Sequence, residues 1–243
     1  MKMDAPLPAM TGAQAQARLI EAGLVLDAAG QGDLTRGHVS VRMPGDPTHF
    51  YMKPHSFGLD EITPENIVVC NLEGEKVGGG GRKHSEVYIH SEIYKARPDV
   101  NSVIHAHPTH AVAFSATGRP LLPISQPAVA FADGLPMFTD AIDLIRSQAL
   151  GAALARALGP HKACLMRNHG TAVVGRCLEE AVVLAIMLEN ACQIQLLAEA
   201  AGGVGERFTD AQVQKLQHDI TRLEQYTINF DYLSRRARKA AGR

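Results

Sequence analysis

Hydrophobic side chains in this 243-residue chain recur with two periods, and the period changes several times along it. Spacings of three and four residues predict amphipathic helices, and alternation over a few residues predicts strands with one buried face. Helical spacing is found over residues 12–29, 84–97, 109–117, 139–158, 178–201 and 209–225. Alternating or short apolar runs are found over residues 38–43, 49–53, 67–72, 103–107, 121–124, 163–166 and 171–174. This order predicts a single α/β domain with mixed strands covered by helices.

The ends of several predicted helices carry capping signals. Thr11-Gly-Ala-Gln14 and Thr209-Asp-Ala-Gln212 both have the capping-box pattern, in which a hydroxyl and an amide three residues apart satisfy free backbone N–H groups. Gly30 ends the first predicted helix, and Pro98 ends the one that begins near His84. Thr63 before a proline predicts a further short helix.

We expect three segments: a flexible N-terminus over residues 1–10, one domain over residues 11–226, and a basic, helical C-terminal tail over residues 227–243. The basic run at residues 235–243 is interpreted as a solvated helix end rather than a binding patch. The four-glycine run at residues 78–81 does not match a phosphate-binding loop and is interpreted as a connector.

Composition restricts the kinds of partner. The formal net charge is -1, so no global field favours nucleic acid or an anionic membrane as a partner. The most apolar stretch, residues 181–188, is too short to span a bilayer, and the N-terminus lacks the pattern of a signal peptide. No CxxC pair occurs, and the cysteines lie in apolar segments, which predicts buried thiols in a reducing cytoplasm. The cysteines are Cys70, Cys164, Cys177 and Cys192.

Two histidines on one predicted strand are the first sign of chemistry. His105 and His107 project from the same face of the strand, with Cα atoms roughly 7 Å apart, so that their imidazoles can converge on one metal ion. His169 lies in a predicted turn before Gly170 and is the best candidate for a third ligand. Three imidazoles suit zinc but also manganese, iron or cobalt.

Glu86 is the nearest candidate for an acid or base, in the first turn of the helix before the histidine strand. A carboxylate at that position also stabilises a helix dipole, so capping and catalysis both stay open for this residue. An isolated His-x-His pair likewise occurs without a metal, so the residues alone do not settle either assignment.

A longer motif resembles the class II aldolase/adducin family. The motif runs over residues 85–107 and is joined by similar segments at residues 37–42, 59–69 and 167–170, in that family's order. The resemblance covers roughly residues 11–200. It implies a three-layer fold with a central, mainly antiparallel sheet between helices, and a homotetramer with active sites between subunits. It also implies one divalent metal ion per subunit, Zn²⁺ or Mn²⁺, bound by His105, His107 and His169, with Glu86 as acid/base.

Departures from the sugar-phosphate aldolases lie where those enzymes hold phosphate. Gly37-His38 replaces a Gly-Asn pair, and His84-Ser85 replaces a Ser-Ser pair. The chain is similar here to a branch of the family that contains metal-dependent decarboxylases of hydroxyaromatic acids. Candidate substrate contacts are therefore His38, Lys53, His55, Arg82, His84 and Ser85. Related aldolases use a C-terminal tyrosine as proton donor, which makes Tyr226 a candidate at a neighbouring subunit's site, although packing is the alternative role.

Three functional hypotheses follow. The first is a metal-dependent decarboxylase of a hydroxylated aromatic or heteroaromatic carboxylate, because the metal can accept electrons from the broken carbon–carbon bond through an oxygen. The second is an aldolase that cleaves a small sugar-like or hydroxy-acid substrate. The third is a non-catalytic, adducin-like assembly module, which would need neither the histidines nor Glu86.

Overall fold

A computed structural model describes residues 10–242, within which eight strands and eight α-helices form one α/β unit. The strands are β1 His38–Met43, β2 Asp46–Met52, β3 Val68–Asn71, β4 Lys76–Gly79, β5 Ser102–Ala106, β6 Met137–Phe138, β7 Ala163–Met166 and β8 Gly170–Gly175. The helices are α1 Gly12–Ala28, α2 Val87–Ala96, α3 Thr109–Thr117, α4 Gln126–Val129, α5 Gln148–Leu158, α6 Leu178–Ala200, α7 Asp210–Ile220 and α8 Leu223–Ala240.

All eight strands belong to one sheet in the order β4-β3-β2-β1-β5-β8-β7-β6. Every neighbouring pair is antiparallel except β6 and β7. Strands β1 and β5 are adjacent at the centre, and residue His38 pairs with His105 in their register. Paired residues share a face of the sheet, so the two imidazoles lie side by side.

Helices cover both faces of the sheet and enclose two separate hydrophobic cores. On one face, α1, α3, α6 and α8 pack against side chains such as Val39, Ile104 and Val173. On the other face, α2 and α5 pack against Phe50, Val103 and others. The predicted three-layer fold with a central, mainly antiparallel sheet is confirmed.

Two predicted elements differ from the structure. The helix expected over residues 139–158 begins only at Gln148, with Ser147 as its N-cap, and residues 140–147 are irregular. Residues 121–124 form no strand, since Leu122 N–H is taken by the buried Gln195 side chain instead of a sheet partner. In both places tertiary contacts override a local apolar pattern.

The C-terminal part of the chain continues the domain. Helix α8 crosses the expected boundary between residues 226 and 227, and its Phe230 and Ala237 belong to the core with α1 and α6. The helix therefore packs as part of the domain rather than as a separate tail. Of the expected flexible segment, residues 1–9 lie outside the described residues.

Helix α6 is more apolar than the sequence expectation allowed. It is the one helix within residues 10–242 that is long and apolar enough to cross a membrane, and half of its apolar window is buried inside the protein. Its length was predicted, over residues 178–201, but the expectation that its apolar part is too short to span a bilayer rested on residues 181–188 alone. Central helices of globular proteins share this character because they are apolar on most sides.

Candidate metal centre and cleft

The three predicted metal ligands meet where β5 ends. His105 is in β5, and His107 follows the strand at the same edge. His169 lies in the turn between β7 and β8, where Asn168 has a positive φ of 57° and donates its N–H to Ser115 Oγ. Asparagine tolerates this left-handed backbone, which turns the following histidine towards β5. One nitrogen from each of the three imidazoles lies within 4.8 Å of the other two.

A hydrogen bond orients His105, and a close carboxylate lies beside the ring of His107. His105 Nδ1 donates to the Thr171 carbonyl oxygen at 3.0 Å, so its Nε2 is left with a lone pair. His107 Nδ1 lies 3.2 Å from Asp33 Oδ2, an oxygen that fixes the ring's orientation. Within the described residues, His105 Nε2, His107 Nδ1 and both ring nitrogens of His169 are buried without a hydrogen bond, although His107 Nδ1 lies close to the Asp33 carboxylate. Unsatisfied buried nitrogens that converge in this way fit a divalent transition-metal ion.

The protonation state of the ligands also suits a metal. Burial lowers the pKa of His105 well below 6.5, and the neighbouring His107 and His169 lower it further. The pKa of His107 is lowered by burial and by His169, and that of His169 by burial. Neutral imidazole is the form that coordinates metals, so the three rings are ready to bind at neutral pH.

Glu86 faces the three histidines instead of capping its helix. It precedes the first residue of α2, and its side chain makes no capping hydrogen bond there. Its Oε1 accepts the Ile145 N–H at 2.9 Å and lies 3.7 Å from His169 Nε2, while its Oε2 lies 3.9 Å from His105 Nε2. The side chain of this N-cap residue therefore makes no capping hydrogen bond, and its carboxylate is a neighbour of the candidate metal site.

A cleft of about 700 Å³ opens beside these residues. Of the predicted substrate contacts, His55, His84 and Ser85 line it. His38 lies behind this wall: it is 1% exposed, and its ring centroid is 4.5 Å from that of His84. His38 also forms a second close group with Glu86 and His105, whose ligand atoms all lie within 4.8 Å of one another.

Three predicted contacts do not line the cleft. Lys53 is fully buried, and its Nζ donates to the carbonyl oxygens of Thr35 at 3.1 Å and Pro54 at 3.2 Å. Burial lowers the pKa of Lys53 to about 8. Arg82 is exposed outside the cleft, where its carbonyl oxygen accepts the His55 N–H. Tyr226 is buried in the core beneath α8, which agrees with the packing alternative.

The cleft also contains charged residues that the sequence reasoning missed. Asp33, Arg36 and Arg146 line it, and Arg36 lies 3.5 Å from Asp33. Arg146 belongs to the irregular segment before α5, where a helix was expected, and no motif surrounds it. Arg36 lies two residues before His38, at the end of an irregular loop. The path of that loop depends on where β1 lies in the sheet, which the local sequence does not show.

The family of the chain follows from comparison with known proteins. Residues 17–196 match the model of the Class II Aldolase and Adducin N-terminal domain family. The Meiotically up-regulated gene 14 protein of Schizosaccharomyces pombe is 37% identical over 73% of this chain and 70% of its own length. Decarboxylase NovR of Streptomyces niveus is 36% identical over 68% of this chain, and the chain spans 62% of that relative's length.

Solved structures agree with the family match. The L-fuculose 1-phosphate aldolase from Glaciozyma antarctica PI12 superposes with a TM-score of 0.84 at 28% identity, over 98% of this chain and 95% of the aldolase. The family model covers most of the chain, and the same sheet and helices superpose. The chain therefore belongs to the class II aldolase and adducin N-terminal domain family.

Proposed function

We propose that the chain is a metal-dependent carbon–carbon lyase that decarboxylates a hydroxylated aromatic or heteroaromatic carboxylate. One observation carries the proposal: three neutral imidazoles, that of His105 fully buried and those of His107 and His169 partly buried, converge with Glu86 on one wall of a cleft. An assembly module has no use for buried, unsatisfied nitrogens, whereas a lyase needs a metal site beside an acid or base.

The proposed cofactor is one divalent ion per subunit, Zn²⁺ or Mn²⁺, held by His105, His107 and His169. When bound, it supplies a Lewis acid for the substrate oxygen that receives the electrons of the broken bond. Asp33 holds the ring of His107, and the Thr171 carbonyl holds that of His105, so both ligands are oriented before the ion arrives.

The chain's own groups account for the rest of the reaction. In decarboxylation the ring carbon that bears the carboxylate is protonated while the neighbouring deprotonated hydroxyl becomes a carbonyl; the ring–carboxylate bond then breaks, carbon dioxide leaves, and the electron pair of that bond passes through the ring to the oxygen and restores aromaticity. Glu86, held by the Ile145 N–H, is placed to deliver the proton that forms the new C–H bond. Arg36 and Arg146, which line the same cleft, offer cations to a carboxylate of the substrate.

The histidines at the cleft favour decarboxylation over sugar-phosphate cleavage. The resemblance to the aldolases predicts an amide and hydroxyl groups at positions that His38 and His84 occupy in this chain. The relative named decarboxylase NovR supports the same choice. Aldol cleavage is the second candidate, because the fold superposes on an L-fuculose 1-phosphate aldolase.

We further propose a cytoplasmic homotetramer with sites at subunit interfaces. Exposed apolar side chains lie at the cleft: Ile142, which is 82% exposed, and Leu144 line it, and Leu34, which is 79% exposed, lies in sequence between the lining residues Asp33 and Thr35. Apolar patches of this kind are typical of surfaces covered by another subunit. The four cysteines are free and buried, as expected in a reducing compartment. Sedimentation equilibrium should give about four times the 26.1 kDa chain mass.

The reaction is tested with the protein reconstituted with Zn²⁺ or with Mn²⁺. Carbon dioxide and aldehyde release are measured in parallel over a panel of hydroxylated aromatic carboxylates and sugar phosphates. We expect carbon dioxide from an ortho-hydroxylated carboxylate and no aldehyde from any sugar phosphate. Aldehyde release alone would support the aldolase, and a protein that binds no divalent ion would support the assembly module.

The Glu86→Gln variant tests the acid/base. The amide keeps the size of the side chain but cannot transfer the proton, so turnover should fall by about two orders of magnitude or more. Metal content, measured by elemental analysis, should stay at the wild-type level. Turnover close to wild type would show that Glu86 has no acid/base role.

A further inference from the structure

A chain of four buried polar side chains runs from the sheet interior to the metal centre. His38 Nδ1 lies 2.7 Å from His90 Nε2, and the other nitrogen of His90, Nδ1, lies 2.6 Å from Ser40 Oγ. Ser40 Oγ lies 2.8 Å from the Tyr94 hydroxyl. All four residues are at most 1% exposed. His90 and Tyr94 lie on one face of α2, one turn apart, and His38 and Ser40 are on the facing side of β1.

The end of this chain at the metal centre is unsatisfied. His38 Nε2 has no hydrogen-bond partner among residues 10–242, although it is buried. His38 belongs to the group with Glu86 and His105 in which one ligand atom of each residue lies within 4.8 Å of the others, and Nε2 is the ring nitrogen that the contact with His90 leaves free. A buried polar atom without a partner costs free energy, so its retention here calls for a function.

Two arrangements of hydrogens satisfy the contacts within the chain. In the first, Tyr94 donates to Ser40, Ser40 donates to His90 Nδ1, and His90 Nε2–H donates to His38 Nδ1, which leaves an N–H at His38 Nε2. In the second, every donor is reversed and His38 Nε2 carries a lone pair. The same three distances fit both arrangements.

The surroundings of His38 Nε2 decide between them. His105 Nε2 must carry a lone pair, because its Nδ1 donates to the Thr171 carbonyl. The third member of the group is a carboxylate oxygen of Glu86. A lone pair on His38 would thus face two other acceptors, whereas an N–H is complementary to both and to an anionic ligand. The first arrangement is therefore favoured.

We propose that His90, held by Ser40 and Tyr94, is a positioning residue that fixes His38 as an Nε2–H donor, and that this donor takes a carboxylate oxygen of the substrate. The carboxylate assignment rests on the proposed function, whereas the tautomer of His38 does not. His38 then discriminates between substrates with a planar carboxylate beside the metal centre and those without one.

The chain positions His38 and does not supply protons. Burial lowers the pKa of His90 to about 3, so His90 stays neutral at ordinary pH. Burial also raises the pKa of Tyr94, so the phenol at the far end keeps its proton. A proton passed along the chain to His38 would leave a phenolate in the core, which burial disfavours. Glu86 remains the proton donor of the reaction.

The tautomer is measured by ¹⁵N NMR of histidine-labelled, zinc-loaded protein without substrate, with His38 assigned from its loss in His38→Asn. We expect His38 to carry its hydrogen on Nε2 in the wild type. In His90→Phe the hydrogen should be distributed over both nitrogens, and His90→Gln should restore much of the Nε2–H form, since its amide reaches the same partner. A zinc-bound or hydrogen-free Nε2 in the wild type would overturn the proposal.

Ligand binding is measured by calorimetry on the same samples with salicylate, and with catechol as the probe that lacks a carboxylate. The His90→Phe substitution should weaken salicylate binding by about 10- to 100-fold, as expected for a lost hydrogen bond to a charged group, and leave catechol binding unchanged. The matched control is Ser91→Ala, which removes a neighbouring buried hydroxyl outside the chain of contacts and should change neither probe.

Each outcome separates the inference from the proposed function. If both probes weaken equally in His90→Phe, or if zinc content falls, His90 has only a structural role. If wild-type protein binds salicylate no more tightly than catechol, the carboxylate assignment is wrong even where the tautomer is as expected. A protein that shows the expected tautomer but releases no carbon dioxide would contradict the proposed function and leave the positioning role intact.

Discussion

At the scale of single residues, orientation separates the candidate ligands from the other histidines. His105 donates to the Thr171 carbonyl, which leaves its second nitrogen free, and His107 lies beside the Asp33 carboxylate with one ring nitrogen in the same close group. By contrast, His49 Nδ1 is paired with Asp46 at 2.7 Å, and His218 is exposed on α7. Residue type alone does not distinguish these histidines, but their partners do.

The first prediction concerns His107. His107→Ala removes one of three ligands and should reduce bound Zn²⁺ from about one per chain to less than about a tenth, because two imidazoles bind far more weakly than three. Elemental analysis after dialysis without chelator measures this. His218→Ala is the control and should keep full occupancy. A fully loaded His107→Ala protein would show that the ion is bound elsewhere.

At the scale of elements, the close contact of α2 and α5 brings the acid/base to its place. Glu86 is the N-cap residue directly before α2, and the segment before α5 supplies the Ile145 N–H that holds its carboxylate. The two helices approach at Gly151, where a Cβ would lie 2.4 Å from the Tyr88 carbonyl oxygen. A glycine is therefore required for this distance between the helices.

The second prediction concerns this contact. Gly151→Ala should push α5 away from α2 and lower the free energy of unfolding by about 1–3 kcal/mol, because backbone atoms cannot move aside cheaply. Turnover should fall with metal content unchanged, since Ile145 moves with α5. Urea denaturation measures the stability. Gly205→Ala, at a position with nothing within 4 Å of the added carbon, should match wild type, and equal stability of both variants would refute the argument.

At the scale of the whole molecule, the site concentrates neutral histidines between the two layers of helices. Burial, with smaller contributions from nearby cations or histidines, lowers the pKa of His84 and of His90 to about 3 each. In the unfolded chain both groups titrate near 6.5. In mild acid the folded protein therefore binds fewer protons than the unfolded chain does.

The third prediction is a loss of stability in acid. Because the folded pKa values are lower than the unfolded ones, stability is fully present above pH 6.5 and is lost as the pH falls from there towards about 3. Each histidine should contribute up to about 1.4 kcal/mol per pH unit within that range. Urea unfolding of metal-free protein at several pH values measures the slope. His90→Gln should reduce it, and an unchanged slope would contradict the assignment.

Local sequence determined much of this protein. The capping boxes at Thr11 and Thr209 form as predicted, because they need only side chains three residues apart. The alternation in β5 placed His105 and His107 on one face, because strand geometry has a period of two. The motif around Glu86 identified the family, which the comparisons confirm.

Tertiary structure decided the remainder, since it depends on contacts between distant residues. Asp33 and Arg146 reach the cleft from irregular segments that carry no periodic signal, and Arg146 lies where local spacing predicted a helix. Lys53 has the chemistry of a substrate contact, but its ammonium is used by backbone carbonyls inside the fold. His38 reaches the metal centre because β1 pairs with β5. In this pairing His38 lies opposite His105, which is 67 positions later in the sequence. A sequence gives the residue types of a site, and only the register of its strands and the packing of its helices determine which of them meet.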